Sequence, residues 1–215
     1  MKRLIVAVAA LMAGAVGAVH AQTSAEKLNA GAASLFADFQ NFGPHRAFVV
    51  APDGNASWWA GSGGPDPGRA VTGALERCKE KTKQVCTLHV VNNYTVTGRD
   101  WRDLVPARAA GAVDIGRLRP QPYWSIRGPQ LATGLIVWSH GYMAGKNSTE
   151  SPPQPWIGRF TQLGYDLYRF DREWIADWAS DATALVDAIN MARKMGYRRV
   201  LLAGQSAGAW ASLAA

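Results

Sequence analysis

Hydrophobic positions follow three different patterns along the chain. The first is an unbroken run, Leu4–Val19, made only of Leu, Ile, Val, Ala, Met and Gly. The second, over residues 22–97, consists of short segments of mixed period broken by turn residues. Within it, Leu28, Leu35, Phe36 and Phe39 predict a helix over 24–39 that Gly43-Pro44 stops. Arg46–Ala51 and Ser57–Ala60 read as two strands about the turn Pro52-Asp53-Gly54-Asn55. Arg69–Lys79 reads as a helix with Val71, Ala74, Leu75 and Cys78 inward, and Val85–Val96 as a strand with Cys86, Leu88 and Val90 on one side. The third pattern, over 121–215, has continuous apolar runs suited to strands buried on both faces of a parallel sheet. Strands are expected over Leu131–Ser139, which ends in the apolar run Leu135–Trp138, and over Tyr165–Phe170 and Arg199–Ala203. Helices are expected between them, over 152–163 and from a cap at Ser180 or Asp181. The second of these turns Leu185, Ala188, Ile189, Ala192 and Met195 inward, carries Arg193 and Lys194 in its last turn, and stops at Gly196.

This layout predicts a small α+β module over 22–97, a basic linker over 98–120 with Pro106 and Pro120, and a three-layer α/β arrangement with a parallel sheet over 121–215. Residues 1–21 are set apart. Lys2 and Arg3 precede the apolar run, and Val19-His20-Ala21 offers a small-residue cleavage site, the pattern of a secretory signal peptide. The run falls short of the ~20 residues of a spanning helix, so the mature protein is expected in the periplasm or secreted, without a membrane partner.

Removing Lys2 and Arg3 lowers the formal charge from +7 to +5. The remaining basic residues carry no aromatic or groove-reading pattern, so they read as solvated helix ends and linker, and no nucleic-acid partner is expected. Export also changes the reading of Cys78 and Cys86, the only cysteines of the 215 residues. Eight positions apart in an oxidising compartment, they are expected to form a disulfide. Two cysteines without a nearby His pair cannot complete a tetrahedral metal site, and no metal or cofactor is expected. His45 and His89 lack a neighbouring carboxylate and read as structural. Trp58-Trp59 suggests either a stacking platform for a ring-shaped ligand or packing of one ring with exposure of the other.

The candidate chemistry follows the last strand. Gly204-Gln205-Ser206-Ala207-Gly208 is a G-x-S-x-G sequence between a strand and a helix. A serine there sits on a tight strained turn with its hydroxyl clear of the sheet, and small residues two before and two after let strand and helix approach. The Ala207 amide, at a helix N-terminus, is placed to stabilise an oxyanion. His140-Gly141 follows a strand 66 residues upstream, where a second donor is expected.

The segments GLIVWSHGY, GYDLYRFDRE and YRRVLLAGQSAGAW resemble exported bacterial hydrolases of the dienelactone-hydrolase and esterase type. Residues 121–215 thus resemble the N-terminal half of an α/β-hydrolase. The resemblance implies a small-molecule acyl substrate, Ser206 as nucleophile, and the backbone amides of Tyr142 and Ala207 as the oxyanion hole. It makes His140 a structural member of the His-Gly turn, supported with Gly141, Gly204 and Gly208. Trp156, Trp174 and Trp178 could shape an aromatic acyl pocket or simply pack helices on the sheet. The front module resembles small disulfide-containing modules of exported bacterial proteins, which informs layout only.

A serine needs a base to take its proton, and this superfamily orders its triad Ser, then Asp or Glu, then His. None of the nine residues after Ser206 is Asp, Glu or His. Asp171 or Glu173 could approach the site, but neither replaces a histidine. The expectation is therefore a fragment of a longer exported serine hydrolase, not competent alone. The alternative is a non-catalytic exported binding protein whose front module is the working part.

Overall fold

Asn29 accepts a hydrogen bond from the Ala32 amide and so caps the first helix, α1 (Ala30–Gln40). The computed structural model describes residues 28–61, 66–141, 153–172 and 177–215. The expected signal peptide and the start of the expected 24–39 helix lie outside these residues. Beyond α1 the chain runs through β1 (Arg46–Val50) and β2 (Ala56–Ala60), which pair antiparallel about a turn closed by the Ala51 amide on the Asn55 carbonyl. Then come α2 (Gly68–Thr82), β3 (Thr87–Val91) and β4 (Tyr94–Thr95). The sheet is antiparallel, in the order β2-β1-β3-β4. Ala47, Val49 and Val91 pack with Ala70, Val71, Ala74 and Cys78 of α2 on one face. Phe48, Val50 and Val90 pack with Ala32 and Phe39 of α1 on the other.

The expected single strand over 85–96 is a hairpin, with Asn92 at φ 54° in its turn. Its expected alternation also fails at one point. Phe48 stands opposite Val90 but Val49 stands opposite Leu88, so His89 is an extra residue, a β-bulge. The bulge sends Val90 to the α1 face and leaves Leu88 and Val91 on the α2 face. The disulfide Cys78–Cys86 is formed, with Cα atoms 6.3 Å apart. It joins the last turns of α2, which runs three residues past the expected Lys79, to the start of β3.

Residues 98–120 contribute to the cores of both sheets. A four-residue helix, α3 (Trp101–Leu104), capped by Asp100, buries Trp101, and Val105 beside it joins the same core. Further on, β5 (Leu118–Pro120) is an edge strand of the second sheet.

That second sheet contains β6 (Gly134–Ser139), β7 (Tyr165–Phe170) and β8 (Val200–Gly204) in the order β5-β7-β6-β8. The last three are mutually parallel and β5 runs antiparallel to β7, so the sheet is mixed where a parallel one was expected. The chain is thus a mixed α/β protein with one antiparallel and one mixed sheet. Leu135, Val137, Tyr168 and Phe170 face Leu185, Ala188 and Ala192 of α5 (Trp178–Met195). Ile136, Trp138 and Leu167 face the opposite side with Ile157 of α4 (Ile157–Gln162). Helix α5 begins earlier than expected because Asp177 caps it, accepting from the Ala179 and Ser180 amides. Asp181 is instead buried within its first turn, 3.5 Å from Arg117. At the far end Gly196 adopts φ 109° as the C-cap, and Met195 is more exposed than its place in the stripe implied.

The two sheets meet around Arg46. Its buried guanidinium donates to the carbonyls of Phe39, Gln40 and Phe42 and, through Nε, to Asn92. Those first acceptors end α1, where the helix dipole favours a cation. The group also lies over the Phe39 and Trp124 rings, at 4.5 and 4.9 Å. Burial lowers its pKa to about 9, still above neutrality. Asn92 accepts from the Arg46 amide and donates to the Tyr123 carbonyl, and Asn93 donates to the Ser125 hydroxyl. Gly158 of α4 sits where a Cβ would strike the Phe42 carbonyl.

Candidate active site

Sheet topology fixes where a site can form. From β6 the chain crosses to β7 on one side and then returns to β8 on the other, so the crossovers diverge between β6 and β8. Ligand crevices in open α/β sheets form at the carboxyl ends of strands beside such a switch point. Ser139, His140 and Gly141 leave β6 there, and Gly204, Gln205 and Ser206 leave β8 beside them. Ser139 pairs with Gly204, and the Gln205 amide donates to the Ser139 carbonyl at 3.1 Å.

Ser206 forms the turn into α6 (Ala207–Ala214) and is exposed. Its φ of 51° and ψ of −121° are costly for any residue with a Cβ, on the order of 1–3 kcal/mol. The neighbouring glycines are sterically required. A Cβ on Gly204 would lie 2.6 Å from the Ala209 amide and from Gly208 backbone atoms, and one on Gly208 would lie 2.1 Å from the Ser139 carbonyl oxygen. Strand, turn and helix therefore close as tightly as the spacing predicted. The first amide of α6 belongs to Ala207, and it has no hydrogen-bond acceptor among the described residues. On the other side, a Cβ built on Gly141 would lie 3.5 Å from the Ser206 Cβ, so the His-Gly turn and the elbow are in contact. Tyr142, the other expected oxyanion donor, lies outside the described residues.

His140 is buried, and its Nδ1 lies 2.9 Å from the Gly141 carbonyl and 3.3 Å from an Arg172 nitrogen. Burial lowers its pKa, the Gly141 contact opposes this, and Arg172 lowers it further, so the ring is neutral at pH 7. Arg172 also donates to the His140 carbonyl. The sequence reading missed this clamp; its signal was a charged pair, Asp171-Arg172, at the carboxyl end of an apolar strand. Asp171 itself faces Arg169, whose Nε is 2.9 Å away. Gln205 is a second omission, as its side chain accepts from Gln154 at 3.2 Å beside Ser206.

Trp156 is 49% exposed and meets Trp138 edge-on with ring centroids 6.0 Å apart. Trp174, Glu173 and the Trp178 side chain lie outside what is described. Elsewhere, His45 and His89 stay in the front module, away from Ser206. Trp58 packs on Phe42 at 4.5 Å while Trp59 is 42% exposed. Among the described residues no group of three His, Cys, Asp or Glu could hold a metal ion, and no helix is long and apolar enough to cross a membrane.

No family model, curated protein or solved structure matches this chain.

Proposed function

We propose that the chain carries the nucleophile of an exported serine hydrolase of the α/β-hydrolase type, acting on an ester or related acyl bond. The observation that carries this reading is the backbone of Ser206, held at φ 51° and ψ −121° between two glycines that have no room for a Cβ. A protein keeps such strain in an exposed serine where the hydroxyl must stand clear of its own backbone. In the proposed step the Ser206 hydroxyl oxygen attacks the acyl carbon. The oxyanion that forms is held by the Ala207 amide, with Tyr142 as the second donor, in the positive field at the start of α6. The alcohol leaves with a proton, and water then releases the acid from Ser206.

The step needs a base to accept the serine proton. His140 makes no hydrogen bond to the Ser206 hydroxyl; its Nδ1 faces the Gly141 carbonyl at 2.9 Å and an Arg172 nitrogen at 3.3 Å. Among the described residues no side chain is hydrogen-bonded to the Ser206 hydroxyl. The test is hydrolysis of short p-nitrophenyl esters by the full translated protein. Turnover that disappears in Ser206→Ala supports the assignment, and equal turnover in that variant overturns it.

A further inference from the structure

Far from Ser206, the front module has a cavity of about 910 Å³ between the end of β2 and helix α2. Its walls differ in kind. One is the Trp59 indole with the backbone of Ala60 and Gly61, and the other is a stripe on α2. That stripe contains Arg69, Thr72, Glu76 and Glu80, spaced three and four residues apart and so on one helix face. It runs roughly 16 Å along the helix. Arg102 closes one end, its guanidinium 4.8 Å above the buried Trp101 ring.

The indole is held in place. A Cβ on Gly73 would stand 3.0 Å from the Trp59 Cγ and Cδ2, so the ring lies directly on the backbone of α2. Trp59 is nevertheless 42% exposed. A rigid aromatic surface therefore lines the groove, bordered by carboxylates that accept hydrogen bonds and guanidinium groups that donate them. Trp59 is the only large apolar side chain among the described lining residues, which disfavours a lipid or an apolar peptide. A peptide strand adding to the free edge of β2 would need most of that edge, yet the groove touches only its last residues, Trp59 and Ala60. A carbohydrate suits the lining better. The apolar C–H face of a pyranose ring stacks on an indole, and its neighbouring hydroxyls match paired Arg and Glu groups.

We propose that this groove is a binding site for an extended oligosaccharide, with one sugar ring stacked on Trp59. The site is independent of the hydrolase reading and stands or falls separately from it. The test is isothermal titration calorimetry of the protein with cellotetraose, chitotetraose and mannotetraose, and with a pool of unrelated octapeptides. Saturable binding of at least one glycan is expected, with a Kd on the order of 1 mM or tighter. Trp59→Ala should weaken it at least about tenfold, and Trp59→Phe should keep part of it. Glu76 is exposed on α2, so Glu76→Ala tests the groove without disturbing the core. It is expected to weaken binding with the urea unfolding midpoint unchanged. Heat with none of the glycans, heat with the peptides only, or glycan binding untouched by both Trp59→Ala and Glu76→Ala would overturn the proposal.

Discussion

Gly208 lies against Ser139 so closely that a Cβ on the glycine would stand 2.1 Å from the serine's carbonyl oxygen. That contact sets the approach of α6 to β6 and with it the position of the elbow. Gly208→Ala cannot be absorbed by rotating a side chain, because both sides of the clash are backbone. It is expected to destabilise the fold by about 3 kcal/mol, read as a lower urea midpoint. An unchanged midpoint would mean that the helix can shift freely and that the elbow is less fixed than its geometry implies.

Strain at Ser206 yields a second expectation. Ser206→Gly relieves the φ of 51°, and after the larger chain entropy of glycine in the unfolded state a net gain of about 1 kcal/mol should remain. Ser206→Ala keeps the Cβ and should gain nothing. Both variants lose the nucleophile. Stabilities ranked in the opposite order would remove the argument that this turn is strained for chemistry.

The buried guanidinium of Arg46 satisfies carbonyls at the end of α1 and at Asn92. Arg46→Met keeps much of the volume but abandons these acceptors, at a cost of about 3 kcal/mol. Arg46→Lys, with a single ammonium in place of the planar fork, should recover only part. Equal stability of wild type and Arg46→Met would show that packing on Phe39 and Trp124 carries the junction.

Acid should lower the stability of the fold through its buried histidines. Burial lowers the His45 pKa to about 4, with Asp66 opposing, so the folded state holds this ring neutral. Its contribution is complete above an unfolded pKa near 6.5 and is lost as the pH falls from there to about 4, amounting to about 3 kcal/mol at most. His89 and His140 are shifted in the same direction by burial. Asp166, raised by burial, acts the opposite way. Urea midpoints at pH 7.5 and 4.5 should differ by less in His45→Asn than in the wild type; equal differences would remove His45 from the account.

Reduction of Cys78–Cys86 should lower stability by about 2.5 kcal/mol from loop-closure entropy. The check is the urea midpoint with and without dithiothreitol, with Cys78→Ser/Cys86→Ser as the control that dithiothreitol should not affect. A double variant as stable as the oxidised protein would show that the bridge adds nothing to this module.

What could be read from the sequence was what one short segment decides by itself. The run Leu135–Trp138 is continuously apolar, the pattern of a strand buried on both faces. Gly204 and Gly208 are forced by sterics within five residues, so the elbow was legible as well. The bulge at His89 was not, because it is a matter of register against β1, and each strand alone alternates acceptably. Leu118–Pro120 gives no period, being three residues with an Arg and a Pro, and its partner lies about fifty residues on. Arg46 and Asn92 gave no signal at all, because a lone polar residue acquires meaning only from the carbonyls that fold around it. At the site, the Arg172 clamp on His140 was hidden for the same reason.

The contact of Gly158 with the Phe42 carbonyl bears on how this protein can be dissected. Helix α4 belongs to the second sheet, yet it is seated on the loop that leads into the first strand of the other sheet, and residues 98–120 contribute to both cores. A cut at any point between the sheets would strip the cover from Arg46 or orphan β5. Workers wishing to isolate the Trp59 groove from the Ser206 elbow would do better with point substitutions than with truncations, for here the seam is itself part of the cloth.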